Sequence, residues 1–177
     1  MRRALSVEPL TAAAFQPFGN VIDVASAPRS FTINEGYAER YDDLAHIDVA
    51  PEGGRPRVSI FRAVPRQLPL ALTVIERHPL GSQAFMPLSS RRYLVVVCQG
   101  TDAPDLQTLR CFMAQAGQGV NYTRGTWHHP LLALEATSDF LVLDRQGPGE
   151  NCDEVRLPEA SIWIDVPPGS SGECCSS

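Results

Sequence analysis

Residues 76–85 read Glu76-Arg77-His78-Pro79-Leu80-Gly81-Ser82-Gln83-Ala84-Phe85, and a second histidine-containing segment, Gly125-Thr126-Trp127-His128-His129-Pro130, follows further along the chain. These two segments hold three of the four histidines, and the fourth, His46, lies apart from them. Each segment contains turn-forming Gly and Pro and leads into an apolar run of the kind that favours a β-strand. We therefore expect two strand–turn units of one small barrel, with polar side chains directed into a shared interior.

Composition predicts a single domain, over residues 1–166, with an ordinary hydrophobic core. The 177 residues are 44% hydrophobic and 20% charged, with a formal net charge of −5, as in many globular proteins. A negative chain is a poor match for nucleic acid or for an anionic membrane. No apolar run reaches the ~20 residues that span a bilayer, and Arg2 and Arg3 precede no secretory apolar segment, so we expect a cytoplasmic protein.

The five cysteines are interpreted as reduced thiols, because their number is odd and their spacing shows no zinc-type pair. Cys98 and Cys111 lie in apolar segments and are expected to be buried. Cys174 and Cys175 belong to a Gly/Ser-rich tail, residues 167–177, which is predicted to be disordered because it cannot build a core.

Turn residues divide the whole chain into short elements, since 15 prolines and 13 glycines are spread along it. Residues 57–62 alternate as a half-buried strand does, residues 92–98 form a continuous run typical of a strand buried on both faces, and Thr11 caps a short helix. Further strands are predicted at residues 19–24, 45–49, 71–77, 83–88, 108–114, 120–122, 131–136, 140–143 and 161–166, with a loop or bend at 39–44 and a polar segment at 150–157. This pattern predicts an all-β fold, a double-stranded β-helix with one or two short helices.

A metal site is one interpretation of the first histidine segment. Glu76 and His78 are two residues apart and so share one strand face. Together with Gln83 from the return strand and His128 from a distant one, they offer a mixed N/O set that suits Ni, Mn, Fe or Zn. The alternative is a solvated Glu76–Arg77 charge pair with His78 as a turn residue, and a protein without a metal.

Proton transfer is a second possible role for the histidines, because imidazole titrates near neutral pH. His128 and His129 are adjacent and must point to opposite faces of a strand, so only one of them can face a barrel interior. An inert histidine beside Trp127 is the alternative. Arg124 is our candidate for binding a substrate carboxylate, with Arg40 and Arg145 as rivals.

The spacing Glu76-x-His78-x4-Gln83 with a later His128 resembles the metal-binding pattern of the cupins, with Glu76 in place of the first His and Gln83 in place of the Glu. By this comparison His128 faces inward, and His129 is a supporting or acid/base residue. Much of the chain further resembles the ureidoglycolate lyase family. The segments that carry this resemblance are Phe31–Gly36, Glu39–Tyr41, Glu76–Phe85, Gly119–Tyr122, Trp127–Leu131, Asp144–Arg145 and Asn151–Asp153.

The family resemblance implies a cupin-like homodimer that cleaves (S)-ureidoglycolate to glyoxylate and urea during allantoin degradation. It implies catalytic roles for His128, His129, Glu76 and His78. Substrate binding would fall to residues that include Arg124, Gln83, Tyr122, Asn121 and Arg40, the hydroxyl of Tyr122 and the amide of Asn121 orienting the ureido group. Two alternatives remain: an amidohydrolase that releases ammonia, and a non-catalytic cupin that binds or senses a small hydroxy or oxo acid.

Overall fold

β-Strands dominate a computed structural model that describes residues 2–159 and 161–165, which confirms the all-β prediction. The tail at residues 167–177, with Cys174 and Cys175, lies outside the described residues. The elements in chain order are β1 (Arg3–Leu5), β2 (Val7–Pro9), α1 (Ala12–Phe15), β3 (Gly19–Ile22), β4 (Arg29–Ile33), β5 (Ala38–Asp42), β6 (Arg55–Ala63), β7 (Leu70–Ala71), β8 (Val74–Arg77), β9 (Gln83–Pro87), β10 (Tyr93–Cys98), β11 (Arg110–Ala114), β12 (Gly119–Tyr122), β13 (Trp127–His128), β14 (Leu132–Ala133), β15 (Ser138–Gln146), β16 (Asp153–Arg156) and β17 (Ile162–Ile164). Single 3-10 turns occur at Val24–Ser26, Asn34–Gly36, Pro51–Gly53 and Leu106–Thr108.

Two mainly antiparallel sheets form the body of the molecule. The first sheet has the strand order β16-β8-β13-β10-β11-β2, with β14 also paired to β10, and the second has the order β3-β12-β9-β15-β6. A third, small sheet of β1, β17 and β7 covers the first, whereas β4 and β5 form a separate two-stranded hairpin. The first and second sheets face each other, as the predicted cupin-like barrel requires.

Strand β10 shows why this arrangement forms. All six of its residues are buried, and they alternate between two apolar cores. Leu94, Val96 and Cys98 pack in the core shared with the third sheet, while Tyr93, Val95 and Val97 pack against the second sheet. Full burial of a Leu or Val side chain stabilises the fold by about 1.5–3 kcal/mol. The division of the β10 side chains between the two cores confirms that this run is buried on both faces, as predicted.

The short helix also forms as predicted. Thr11 is its N-cap, and the Thr11 side chain accepts a hydrogen bond of 3.2 Å from the Ala14 amide. The helix buries Phe15, whose ring packs edge-on against Phe112 at a centroid distance of 5.8 Å. This contact closes one end of the core between the first and second sheets.

Residues 39–49 differ from the prediction. The polar segment 39–44 is largely strand β5, because its side chains pair across the hairpin with those of β4. Residues 45–49 were expected to be a strand and are not one. In this segment the backbone of Asp48 instead forms hydrogen bonds with a turn residue, Ser82. Asp48 N donates to Ser82 Oγ (2.9 Å), and Ser82 N donates to Asp48 O (2.7 Å).

Two other boundaries depend on tertiary pairing. The polar segment 150–157 contains β16, which forms because it pairs with β8 at the edge of the first sheet. Strand β15 is longer than the predicted 140–143, since it pairs along its whole length with β6. Polar residues at both ends of β15 hid its extent in the sequence.

Cys98 and Cys111 are free and buried, as predicted, and burial raises the pKa of each thiol to about 12. The third described cysteine, Cys152, is exposed. Among the described residues, no helix is both long enough and apolar enough to cross a bilayer.

One ion pair that fastens β2 to β11 makes stability depend on pH. Arg110 donates to both oxygens of Glu8, at 3.0 and 2.6 Å, and this hydrogen bonding lowers the pKa of Glu8. A depressed folded-state pKa stabilises the fold above the unfolded pKa, and this contribution is lost as the pH falls through the folded value. The Arg110 side chain is 34% exposed and the Glu8 side chain 40%. Solvent therefore screens the ion pair, and it should stabilise the fold only slightly.

We expect Glu8→Gln to lower the free energy of unfolding by about 0.2–1 kcal/mol at pH 7. Near pH ~3, below the usual pKa values of carboxyl groups, Glu8 of the wild type is increasingly protonated. The difference in the free energy of unfolding between the two proteins should then shrink. Urea denaturation of both proteins at the two pH values measures this. An equal difference at both pH values would show that the loss comes from packing rather than from the ion pair.

Candidate active site

A cluster of polar side chains lies in the interior between the first and second sheets. Glu76 on β8 is the register partner of His128 on β13. Their chain neighbours Ile75 and Trp127 are buried in the core on the other side of the first sheet. Because side chains alternate along a strand, this burial directs Glu76 and His128 inward.

The second sheet contributes the opposite side of the cluster. Gln83 on β9 is the register partner of Tyr122 on β12. The Tyr122 ring stacks on His128 with a centroid distance of 4.2 Å and an interplanar angle of 14°. This contact joins the two sheets at the cluster and fixes the plane of the His128 imidazole.

His78, two residues beyond Glu76, completes the group. Its ring centroid lies 5.2 Å from that of His128. Its Nδ1 is 2.7 Å from the carbonyl of Asn151, and Nδ1 of His128 is 2.9 Å from the carbonyl of Thr126. A carbonyl only accepts hydrogen bonds, so each neutral imidazole carries its proton on Nδ1 and keeps a lone pair on Nε2.

These Nε2 atoms are the most informative feature of the site. The Nε2 atoms of His78 and His128, together with Oε1 of Gln83, are buried without a hydrogen-bond partner among the described residues. Leaving a buried polar atom unpaired costs about 1–3 kcal/mol. Such a group of orphaned atoms is suited to a bound ligand.

Glu76 is held in its ionised form. Burial raises the pKa of this carboxyl, but the imidazoles of His128, His78 and His129 around it lower the pKa by more. Its Oε1 lies 3.5 Å from His128 Nε2. The predicted alternative, a solvated pair with Arg77, is not formed, because Arg77 instead contacts Asp153 at 2.7 Å.

His78 is held neutral. Its pKa is lowered by burial and by the proximity of His128, which together outweigh the contacts with Asn151, Glu76 and Gln83. A neutral imidazole can bind a metal or accept a proton, whereas a protonated one can do neither.

The donor set fits a divalent metal. Ligand atoms of Glu76, His78 and His128 all lie within 4.8 Å of one another. Gln83 Oε1 is a further unpaired oxygen near the same group, and both imidazoles have the Nδ1–carbonyl contacts that commonly support metal-binding histidines. Two nitrogen and two oxygen donors suit Mn, Fe, Ni or Zn.

The cluster opens into a cavity with two lobes. One lobe has a volume of ≈ 370 Å³ and the other ≈ 410 Å³, and both are lined by Glu76, Gln83 and Phe61. The first lobe is largely apolar, with Pro130 and Leu131. More polar and charged side chains line the second, called here the polar lobe, and they include Arg57, His78, Asp144, Arg145, Asn151 and Cys152.

Arg145 supports the polar lobe through the backbone. Its guanidinium donates to the Pro51 carbonyl (3.1 and 2.8 Å) and to the Pro148 carbonyl (2.7 Å). A Cβ at Gly81 would lie 2.6 Å from the Arg145 Cβ, so the turn after His78 needs glycine at this point. Arg145 therefore ties together the loops around the cavity.

Two candidate residues lie near the cluster but outside the group of metal-compatible atoms. Asn121 neighbours Tyr122 and faces away from the interior, where its amide donates to Asn20 Oδ1 and to the His46 carbonyl, both at 3.1 Å. His129 is buried, with Nδ1 2.8 Å from the Pro130 carbonyl, and burial lowers its pKa. An orienting role for Asn121 on a substrate in this cavity does not fit its direction.

The structure does not bring Arg124 or Arg40 to the cavity of their own chain. Arg124 lies 3.4 Å from Asp48 and lines a separate depression beside Thr126. Arg40 is on the β4–β5 hairpin and lies 2.6 Å from Asp42. The prediction that Arg124 binds a substrate carboxylate is therefore corrected: proximity to His128 in sequence did not place its side chain in the same cavity.

Sequence reasoning missed the wall formed by β6 and β15. Arg57 on β6 donates to both oxygens of Asp144 on β15, each at 2.8 Å, and both residues line the polar lobe. The alternation in residues 57–62 puts Arg57 and Phe61 on one face of the strand, and this pattern could have indicated that both line the same cavity. Only the register with β15 shows that this face borders the histidines.

Comparison with known proteins gives a consistent result. The sequence model of the family described as ureidoglycolate lyase matches residues 2–165. A ureidoglycolate lyase from Burkholderia cepacia is 54% identical over 170 residues, 95% of this chain and 94% of that protein. Ureidoglycolate lyase 1 from Rhizobium meliloti (strain 1021) is 48% identical over 174 residues, 98% of this chain and 99% of that protein.

Likeness to solved structures is lower. A dTDP sugar isomerase from Desulfovibrio desulfuricans G20 aligns with a TM-score of 0.41 and 18% identity, covering 73% of this chain and 80% of that one.

The geometry of the cluster predicts one divalent metal site per chain. Isothermal titration of metal-free protein with Mn²⁺ and Zn²⁺ should show one ion bound, and His78→Ala should weaken binding more than about 100-fold, because it removes a direct ligand. His46→Ala, a matched histidine substitution outside the cluster, should bind as wild type does. Equal affinity in the His78 and His46 variants would exclude His78 as a ligand.

Proposed function

The chain belongs to the ureidoglycolate lyase family, and we propose that it cleaves (S)-ureidoglycolate to glyoxylate and urea. The observation that carries this proposal is the close similarity to ureidoglycolate lyases along almost the whole chain. The buried, partly unpaired polar cluster supports it, because the cluster opens into a cavity large enough for a small hydroxy acid. The chain is thus a lyase by family, and the C–N bond is our assignment for the bond that it breaks.

The proposed reaction is an elimination that needs no oxidant or reductant. Removal of the proton from the substrate hydroxyl lets the oxygen form a carbonyl as the adjacent C–N bond breaks. The departing urea nitrogen takes up a proton, so that glyoxylate and neutral urea leave. The site therefore needs a base at the hydroxyl, a proton donor at the nitrogen and a fixed substrate orientation.

We assign the base to Glu76. Its carboxylate is kept ionised beside His128, and it is shared by both lobes of the cavity, so a substrate in either lobe lies next to it. The proton that Glu76 accepts can return to the urea nitrogen, directly or through a neighbouring imidazole. His128 and His78, held by backbone carbonyls, orient the reacting end of the substrate through Nε2.

A divalent metal would be held by His78, His128 and Gln83 with Glu76 as the fourth residue. When bound there, it would polarise the hydroxyl and carboxylate oxygens of the substrate and make the hydroxyl more acidic. The lone pairs on the two Nε2 atoms are available for this role because both Nδ1 atoms contact backbone carbonyls.

The setting of the reaction is part of the proposal. The free thiols of Cys98, Cys111 and Cys152 support a reducing compartment, and we place the enzyme in the cytoplasm. We also propose that it acts as a homodimer.

Product analysis on (S)-ureidoglycolate, corrected for spontaneous breakdown, tests the reaction. We expect enzyme-dependent urea and glyoxylate in equal amounts, and a loss of rate with chelator if a metal takes part. Ammonia in place of urea would mean an amidohydrolase. Tight binding of glyoxylate without turnover would mean a protein that senses rather than catalyses.

His128→Ala should reduce turnover by at least about 100-fold, because it removes one orienting group from the reacting centre. The circular dichroism spectrum should stay that of the wild type, whereas the melting temperature should fall, because the substitution removes a buried ring that stacks on Tyr122 and contacts the Thr126 carbonyl through Nδ1. His46→Ala is the matched control and should retain full activity. Wild-type rates in His128→Ala would remove this residue from the mechanism.

A further inference from the structure

Asn151 joins two parts of the candidate site through two different groups. Its main-chain carbonyl accepts a hydrogen bond from His78 Nδ1 (2.7 Å), and its side-chain Oδ1 accepts one from the Leu80 amide (2.7 Å). Both hydrogen bonds are partly buried. One residue therefore contacts both the ring of a cluster histidine and the turn that follows this histidine.

The turn between β8 and β9 connects two members of the cluster. His78 precedes this turn, and Gln83 follows it as the first residue of β9. Pro79 has no amide hydrogen, so the Leu80 amide is the first backbone donor after His78. Because Leu80 lies between strands, its amide has no partner in a sheet. The side chain of Asn151 supplies that partner.

The strand pairing at this edge of the first sheet ends just short of the two residues. The last pair of β16 with β8 is Asp153 with Arg77, and this leaves Asn151 and His78 beyond the ladder. Residues 147–152 have no regular secondary structure. The hydrogen bond from the turn to the Asn151 side chain therefore continues the work of the ladder, because it keeps the two segments in register.

This register decides which nitrogen of His78 carries the proton. The hydrogen bond at one ring nitrogen sets the state of the other, and the carbonyl of Asn151 keeps the proton on Nδ1. Without that carbonyl the proton would be free to move to Nε2, toward the carboxylate of Glu76, whose ligand atom lies within 4.8 Å of that of His78. An Nε2–H group can neither bind a metal nor accept a proton.

We propose that the Asn151 side chain is a positioning residue for the reaction. By binding the Leu80 amide it holds its own carbonyl at His78 Nδ1, and so it keeps the lone pair on His78 Nε2 available in the cavity. The positioning stands on the two hydrogen bonds, whereas its effect on turnover rests on the proposed function. An amide suits this position, because Asn151 lines the polar lobe together with Glu76, and a carboxylate there would add negative charge beside an anionic substrate.

Nitrogen-15 NMR of the imidazole rings tests the positioning without any substrate, because couplings between ring protons and ring nitrogens distinguish the two tautomers. The metal-free protein has four histidines, so each ring can be assigned by a single substitution. At a pH where the rings are neutral, His78 and His128 of the wild type should both carry the proton on Nδ1. In Asn151→Ala the His78 ring should shift to the Nε2–H form, whereas His128, which contacts the Thr126 carbonyl, should not change.

Kinetics give a second measurement. Asn151→Ala should lower kcat by about 10–100-fold, the usual effect of losing a group that orients a ligand residue. Asn151→Asp keeps an oxygen that accepts from the Leu80 amide, so it should restore both the His78 tautomer and kcat. The KM of Asn151→Asp should nevertheless rise, because the added charge opposes the binding of an anionic substrate.

Asn20→Ala is the matched control. It removes another asparagine side chain that accepts a hydrogen bond, in this case from Asn121, on the face of the second sheet that points away from the cavity. This variant should keep both histidine tautomers and the kcat of the wild type.

The outcomes separate positioning from a general structural role. A His78 ring that stays in the Nδ1–H form in Asn151→Ala would overturn the proposal. So would an equal change in His128, which would indicate a loosened fold, or a failure of Asn151→Asp to restore the His78 tautomer. If the wild type forms no urea from ureidoglycolate, the proposed function fails, while the NMR result still decides the positioning.

Discussion

The burial of the first sheet on both faces is the constraint on which the site depends. Ile75 and Trp127 are held in the core beneath the third sheet, and strand alternation then leaves Glu76 and His128 no direction except inward. A slip of one residue in β8 or β13 would bury a carboxylate or an imidazole in an apolar core and expose an apolar side chain. The packing that stabilises the fold therefore also positions the reactive groups.

This arrangement carries an energetic cost that a bound ligand would offset. The Nε2 atoms of His78 and His128 are buried but unpaired, and each costs about 1–3 kcal/mol. The backbone contacts at Nδ1 prevent the rings from turning to satisfy Nε2. The stacking of Tyr122 on His128 adds a second restraint, so the site is rigid before ligand arrives, as orienting groups should be.

The sequence was most informative where a residue's environment is set by its near neighbours. The continuous run in β10, the cap at Thr11 and the spacing of Glu76, His78, Gln83 and His128 all depend on local alternation or capping, and the structure places them as expected. The outcome for Arg124 differs because Arg124 lies in a turn, residues 123–126, and alternation says nothing of where a turn side chain points. The pairing of Arg57 with Asp144 depends on strands far apart in the chain.

The β4–β5 hairpin was hidden for another reason. Its residues are polar on both faces with scattered aromatics, a pattern that indicates a loop rather than a strand. The register of the hairpin is fixed by backbone pairing of β4 with β5, and all five residues of β4 are exposed. Neither strand therefore shows the alternation of buried and exposed residues by which a half-buried strand is predicted from sequence.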